Sequence, residues 1–305
     1  MPFTTAEAKT RGLGRGALRG RRVRREFHGV YTLADAPSEL ADAVAAARRV
    51  LPDDVLLDGT TALRAYGVEV GDERPLRFVT AHPHQVRRPG LALRRVRRLP
   101  TPPEPPMDEG DEETVLACLP PAAAFVSAAR ELDLVDLVAA GDRLVRLGLL
   151  EPRELVAAAA ASSGRGVVPA RRAAALVRVG VDSVRETRLR LCLVLAGLPE
   201  PEVNPTVTVG DREVGRVDLR LKRWRVTIEY DGDQHRTDRR QWNIDLSRNE
   251  LLTGDGELVV RVTAERMRHP RAVVALVVSA LREHGWDGPP PVFDEEWHRL
   301  FPSAR

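Results

Sequence analysis

Three carboxylates lie close together in the last third of the chain, Asp218, Glu229 and Asp231, and His235 follows four residues after the last of them. Hard oxygen ligands from two or three carboxylates, with water in the other positions, suit Mg²⁺ or Mn²⁺. Such an ion can activate water and stabilise a phosphoryl transition state. His235 adds an acid, a base or a phosphate donor. Arginine supplies the complementary chemistry. One block near the start holds Arg11, Arg15, Arg19, Arg21, Arg22, Arg24 and Arg25, and a second holds Arg87, Arg88, Arg94, Arg95, Arg97 and Arg98. The net charge is only +3, so the distribution matters more than the sum. Planar guanidinium forks suit phosphate oxygens, and both blocks read as phosphate-facing surfaces.

The acids need a scaffold, and the segments around them predict one. Residues 217–221 and 226–230 alternate as two strands of an antiparallel hairpin joined by Lys222 to Arg225. If Leu221 lies opposite Val226, then Leu219 faces Ile228 and Val217 faces Tyr230, which puts six apolar side chains on one face. The other face then pairs Asp218 with Glu229 and Arg220 with Thr227, and Asp231 extends it by two residues. Opposed like charges repel unless something positive lies between them. A divalent cation is one solution; the other is a solvated polar face on which Arg216 and Arg220 balance the acids.

Upstream, Ser183-Val184-Arg185-Glu186 has the form of a capping box. It predicts a helix that runs to Gly197 and is stopped by Pro199 and Pro201, followed by a strand over 203–209.

The rest of the chain reads as a mixed α/β (α+β), multi-domain protein. Residues 1–35 suggest two short helices and a strand, the layout of a winged-helix-like DNA-binding unit; a small basic cap on the next unit is the alternative. Residues 36–100 suggest a small α/β unit with helices at 36–47 and 60–66 and strands at 76–80 and 91–96. His82 and His84 fall in a surface loop there, with no further ligand near them in sequence. A linker rich in proline and acid covers 101–115, a mainly helical middle 116–180, a carboxyl-terminal α/β domain 181–286 and a tail 287–305. The longest apolar runs, 191–198 and 272–281, are too short to span a bilayer. No membrane partner is expected. Cys118 and Cys192 lie within apolar patterns, and the first residues lack the apolar stretch of a signal peptide. A reducing cytoplasm is therefore the expected compartment.

Asp218, the run Ile228-Glu229-Tyr230-Asp231-Gly232, His235, Asp245 with Arg248, and Val259-Val260-Arg261-Val262-Thr263 together carry a resemblance. They resemble the very-short-patch-repair endonuclease-like domain, or domain of unknown function 559, of the PD-(D/E)xK nuclease superfamily. Gly12-Leu13, Leu18-Arg19, His28-Gly29-Val30-Tyr31 and 63–67 resemble actinobacterial winged-helix proteins whose front part is an AbiEi-type antitoxin.

The resemblance implies a restriction-endonuclease-like fold for 181–286. It makes Asp218 and Glu229 metal ligands, with Asp231 assisting, and Glu186 the helix acid; the capping box competes for Glu186. Arg248 and Arg261 are then expected to pair with Asp245 or with phosphate, since arginine stays protonated. The superfamily's lysine is absent, because Asp231 stands in its place. Two functions follow as expectations. One is a Mg²⁺- or Mn²⁺-dependent DNA endonuclease, a hydrolase with catalytic residues Asp218, Glu229, Asp231, His235 and Glu186, holding duplex with Arg15, Arg19, Arg21, Arg22, Arg24, Arg25, Arg248 and Arg261. The other is an antitoxin-like transcriptional regulator with a degenerate nuclease domain. DNA is the expected partner in both, with a homodimer or a cognate toxin as further partners.

Overall fold

The computed structural model describes residues 1–14, 16–35, 39–83, 87–101, 117–210, 212–231 and 251–304, excluding the side chain of Arg212. Arg15, His84, most of the linker 101–115, Gly232, His235, Asp245 and Arg248 lie outside the described residues. The fold is mixed α/β and multi-domain. The chain forms one compact unit from Met1–Leu132 with Leu149–Ala174 and a second from Asp133–Gly148 with Ala175–Arg305. The residues read from sequence as a helical middle contribute to both.

In the first unit, β1 (Phe3–Thr4), β2 (Val23–Phe27) and β3 (Val30–Leu33) form an antiparallel sheet in the order β1-β3-β2. Helix α1 (Thr5–Thr10) starts on a reciprocal cap. The Thr4 hydroxyl accepts from Glu7 N at 3.3 Å, and the Glu7 carboxylate accepts from Thr4 N at 2.7 Å. The second helix expected here is a single 3-10 turn, Ala17–Arg19, because Gly12, Gly14 and Gly16 leave no run of good helix formers.

Helix α2 (Leu40–Arg48) follows, then β4 (Leu56–Leu57), α3 (Gly59–Ala65), β5 (Leu76–Thr80) and β6 (Leu91–Arg95). The second sheet runs β4-β5-β6, with β5 and β6 parallel. Asp58 and Arg94 lock it with two bonds of 2.7 and 2.8 Å. Helix α4 (Pro121–Ala128) packs on α3 and on α6 (Pro152–Ala161).

In the second unit, α5 (Leu134–Arg146) packs against α8 (Val184–Val194), which follows α7 (Val167–Leu176). Helix α8 carries the alternating run Leu-Arg-Leu-Cys-Leu, which is strand-like by period. Ser183 decides for helix: its hydroxyl accepts from Glu186 N at 3.2 Å. Four strands, β7 (Glu202–Val203), β10 (Leu219–Leu221), β11 (Val226–Asp231) and β12 (Leu258–Thr263), form a mixed sheet in the order β12-β11-β10-β7. Strand β11 is antiparallel to β10 and parallel to β12.

The strand expected over 203–209 is broken in two. Asn204 takes a left-handed conformation, φ 49°, and Pro205 has no N–H to donate. The chain therefore leaves the main sheet, and β8 (Thr206–Val209) pairs instead with β9 (Arg212–Arg216). The residues expected as a tail are packed. After α9 (Pro270–Glu283) comes α10 (Glu295–Leu300), whose Trp297 is buried and donates its indole N–H to Cys192 O at 3.0 Å.

Between α5 and α8 sits a buried ionic network. Arg190 is fully buried; its Nη1 reaches Glu200 Oε1 at 2.8 Å, its Nη2 donates to Leu176 O at 2.7 Å, and Asp142 Oδ2 lies 3.7 Å away. Asp142 also accepts from Arg178 N at 2.8 Å and from the Thr187 hydroxyl at 2.8 Å.

Burial pushes the Asp142 carboxyl up to about 6, against the lowering effect of those hydrogen bonds and of Arg190 and Arg178. The folded state then holds a proton that the unfolded state releases. Its contribution is full below the ordinary Asp pKa of about 3.8 and is lost as pH rises through about 6. On the order of 1–3 kcal/mol of stability should disappear over that window. Urea denaturation of the full chain at pH 4 to 7, beside Asp142→Asn, measures it. Parallel stability profiles for the two proteins would refute it.

Candidate functional site

Strand β11 is where the sheet changes direction, with an antiparallel neighbour on one side and a parallel one on the other. In open α/β sheets, ligands bind in the crevice outside the carboxyl ends of the strands. The last three residues of β11 are Glu229, Tyr230 and Asp231, and Asp218 stands just before β10. Glu229 and Asp231, two residues apart on β11, and Asp218, just before the antiparallel β10, are each half-buried and lie toward the same end of these two strands.

The register within the hairpin is the expected one: Leu219 faces Ile228, Arg220 faces Thr227 and Leu221 faces Val226. Past Leu219 the ladder ends. Asp218 Oδ2 accepts from Tyr230 N at 2.7 Å, and the Asp218 carbonyl accepts from Asn204 N at 2.8 Å. A side chain has thus taken the backbone donor of β11 near the point where the ladder stops, and it presses the Asp218 carboxylate against the residue that follows Glu229. Val217 does not extend the apolar face. It is buried with Val207 and Leu252, and Val214 and Val259 pack on them.

Strand β12 completes the edge. Its Arg261 is the register partner of Glu229 and its Thr263 that of Asp231. Arg261 stands half-buried beside Glu229. Arg185 lies over the Tyr230 ring at 5.7 Å.

Glu186 is buried, and its carboxylate accepts from Asp182 N at 3.0 Å, from the Ser183 hydroxyl at 2.9 Å and from the Asn204 side-chain amide. The reciprocal bond expected to the Ser183 amide goes one residue earlier, to Asp182. Asn204 links Glu186 to Asp218, since its backbone N–H serves Asp218 and its side chain serves Glu186.

The donor set is hard oxygen, which suits Mg²⁺ or Mn²⁺. Mg²⁺ keeps several waters and needs only one or two carboxylates, a demand that Asp218 and Glu229 can meet. Among the described residues, no three His, Cys, Asp or Glu side chains stand close enough together to enclose a metal ion. His235 and Arg248 lie outside the described residues.

Glu257 is the residue that sequence reasoning missed. It is 2% exposed; Arg220 pairs with its Oε1, and the Thr227 hydroxyl donates to its Oε2 at 3.1 Å. The solvated-face reading has Arg220 balancing Asp218 and Glu229; in the structure it is committed to Glu257 instead. The only hint in the sequence is an acid directly before an apolar strand.

At the amino terminus, Arg19, Arg21, Arg22 and Arg25 are exposed. Arg25 Nη2 lies 2.7 Å from His28 Nδ1. Arg24 bonds Glu26 at 2.6 Å, and Glu26 also takes Arg74 at 3.2 Å and the Thr32 hydroxyl at 2.8 Å. Burial raises the Glu26 carboxyl, but these hydrogen bonds and charges outweigh it and hold it below its ordinary value. Arg88 Nη1 donates to His28 O at 2.8 Å, so part of the second arginine block meets the tip of the β2–β3 hairpin.

Comparison with models of protein families, with curated proteins and with solved structures finds no match to this chain.

Proposed function

We propose that this chain is a DNA-binding protein whose carboxyl-terminal α/β domain is a metal-dependent endonuclease that hydrolyses or nicks phosphodiesters. The observation that carries the reading is the edge of the mixed sheet, where Asp218 lies against the backbone just after Glu229 and Arg261 of β12 stands beside Glu229 in the strand register.

In this reading Asp218 and Glu229 hold a Mg²⁺ or Mn²⁺ ion, which when bound activates water and neutralises developing phosphoryl charge. Arg261 holds a non-bridging phosphate oxygen, as a permanently charged guanidinium can. Asp231 assists at the outer end of the same strand, and Glu186, through Asn204, keeps Asp218 in place. His235 and Arg248 are assigned to proton handling and phosphate contact on sequence grounds. The exposed arginines at 19, 21, 22 and 25 hold the duplex.

A second reading is favoured by one residue. Asp231 occupies the place where the resemblance leads one to expect a lysine, and a domain without that lysine can serve as the nucleic-acid-binding part of an antitoxin-like regulator.

Supercoiled plasmid incubated with the purified chain and Mn²⁺ or Mg²⁺ separates the two. Nicked or linear product that appears only with metal supports the endonuclease. Intact plasmid under every metal, together with duplex binding that weakens steeply with salt, would replace it with the regulator.

A further inference from the structure

We propose that Glu257 is a positioning residue that keeps the candidate metal site negative by holding Arg220 away from it. The proposal rests on the metal-site reading of Asp218 and Glu229.

Arg220 stands in β10 two residues after Asp218, which precedes the strand and accepts from Tyr230 N of β11 through its carboxylate. The direct cross-strand partner of Arg220 is Thr227, which puts Glu229 on the diagonal. Diagonal neighbours are separated by about 7–8 Å, within reach of a long side chain. An arginine there would ordinarily turn to the two carboxylates and form an ion pair. It would then compete with a cation for the same oxygens.

The structure sends it the other way. The Arg220 side chain is 15% exposed, and its guanidinium pairs with Glu257, whose side chain is fully buried. Thr227 fixes the second oxygen of Glu257 at 3.1 Å, so the carboxylate has both a set orientation and a cationic partner. The Arg220 Nε is buried without a hydrogen-bond partner among the described residues. A guanidinium held with one donor unmet is placed by its acid partner, and loss of that partner's charge removes the reason to stay. Glu257 sits 28 residues past Glu229 and directly before β12, so its carboxylate reaches the acid face only in the folded sheet.

The test is calorimetric titration of Mn²⁺ into the full-length chain, beside Glu257→Gln and the double variant Glu257→Gln with Arg220→Gln. Glutamine keeps the shape and the Thr227 contact but not the charge. Glu257→Gln should weaken Mn²⁺ binding about 10–100-fold, the scale on which groups outside the ligand shell act. The double variant, which also removes the released cation, should return to within about threefold of wild type.

A merely structural Glu257 would give no such recovery, and a double variant as weak as the single one overturns the proposal. Wild-type affinity in Glu257→Gln overturns it as well. Wild-type protein that takes up no Mn²⁺ removes the metal-site reading and this inference with it, so the two failures are told apart. Should Glu257→Gln not fold, Glu257→Leu with Arg220→Met replaces the buried pair by apolar groups, a change that such pairs often tolerate. This variant must bind Mn²⁺ within about threefold of wild type, and a loss beyond tenfold refutes the proposal.

Discussion

Arg190→Met is expected to lower the stability of the full chain by about 3–5 kcal/mol at pH 7.5, the cost of removing one partner from a buried charged network. Methionine fills most of the volume, so the loss is chiefly electrostatic. Asp142, 2% exposed, would keep its bonds from Arg178 N and Thr187 but lose the buried guanidinium beside it.

The carboxyl is already raised to about 6 with Arg190 present, and without that cation it rises further. The defect should therefore shrink as pH falls, because protonation removes the unpaired charge: largest near pH 8 and smallest near pH 5. Adding Asp142→Leu to Arg190→Met should recover part of the loss, since both members of the fully buried pair are then gone. Chemical denaturation of the four proteins, at both pH values, gives the coupling. A loss independent of pH, or one that simply adds to that of Asp142→Leu, would mean that packing and not charge holds α5 to α8.

These charges mark the boundary of what the sequence makes legible. Local signals carried far. The Ser183 cap outvoted the alternating Leu-Arg-Leu-Cys-Leu pattern, and α8 is a helix. Alternation located the β10–β11 hairpin and its register from Leu219 to Leu221, because a slip of one residue would expose every apolar side chain.

The same argument failed at Val217, where Asp218 takes the Tyr230 amide and the chain turns toward the cluster with Val207 and Leu252. No periodicity reports a side chain that displaces a ladder bond. The break at Asn204 and Pro205 was in plain view as a proline within an alternating run, yet strand propensity on either side hid it. Arg190 and Asp142, 48 residues apart, and Arg220 and Glu257, 37 apart, are pairings that only the tertiary fold creates. At the candidate site alternation placed Glu229 and Asp231 on β11, but it also set Asp218 opposite Glu229 and Val217 opposite Tyr230, and the ladder stops before both pairs. The disposal of Arg220 was not readable, because only the tertiary fold brings Glu257 to it.

Glu229→Gln and Asp218→Asn are expected to reduce metal-dependent cleavage by about 10²–10⁴-fold. That range corresponds to the several kcal/mol of transition-state stabilisation that a bound divalent ion supplies, at tenfold for each 1.36 kcal/mol. Both changes keep the shape, so any loss of folding should be small, and Asp218→Asn can still accept from Tyr230 N through its amide oxygen. Asp231→Asn should cost less, about tenfold, because Asp231 ends the strand with Thr263 rather than an arginine beside it.

Duplex binding supplies the control. Removing a negative charge near the phosphate path should leave affinity unchanged or slightly higher. Exchanging Arg21 and Arg22 for glutamine should instead weaken binding to all sequences alike and reduce the salt slope by about one for each phosphate no longer neutralised. Cleavage assays, Mn²⁺ titration and salt-dependent binding on the same preparations then give a pattern that only one arrangement satisfies: acids that matter for metal and cleavage but not for duplex, and arginines that matter for duplex but not for metal. Cleavage that survives both Glu229→Gln and Asp218→Asn would place the reaction somewhere other than this edge of the sheet, whatever the arginines do.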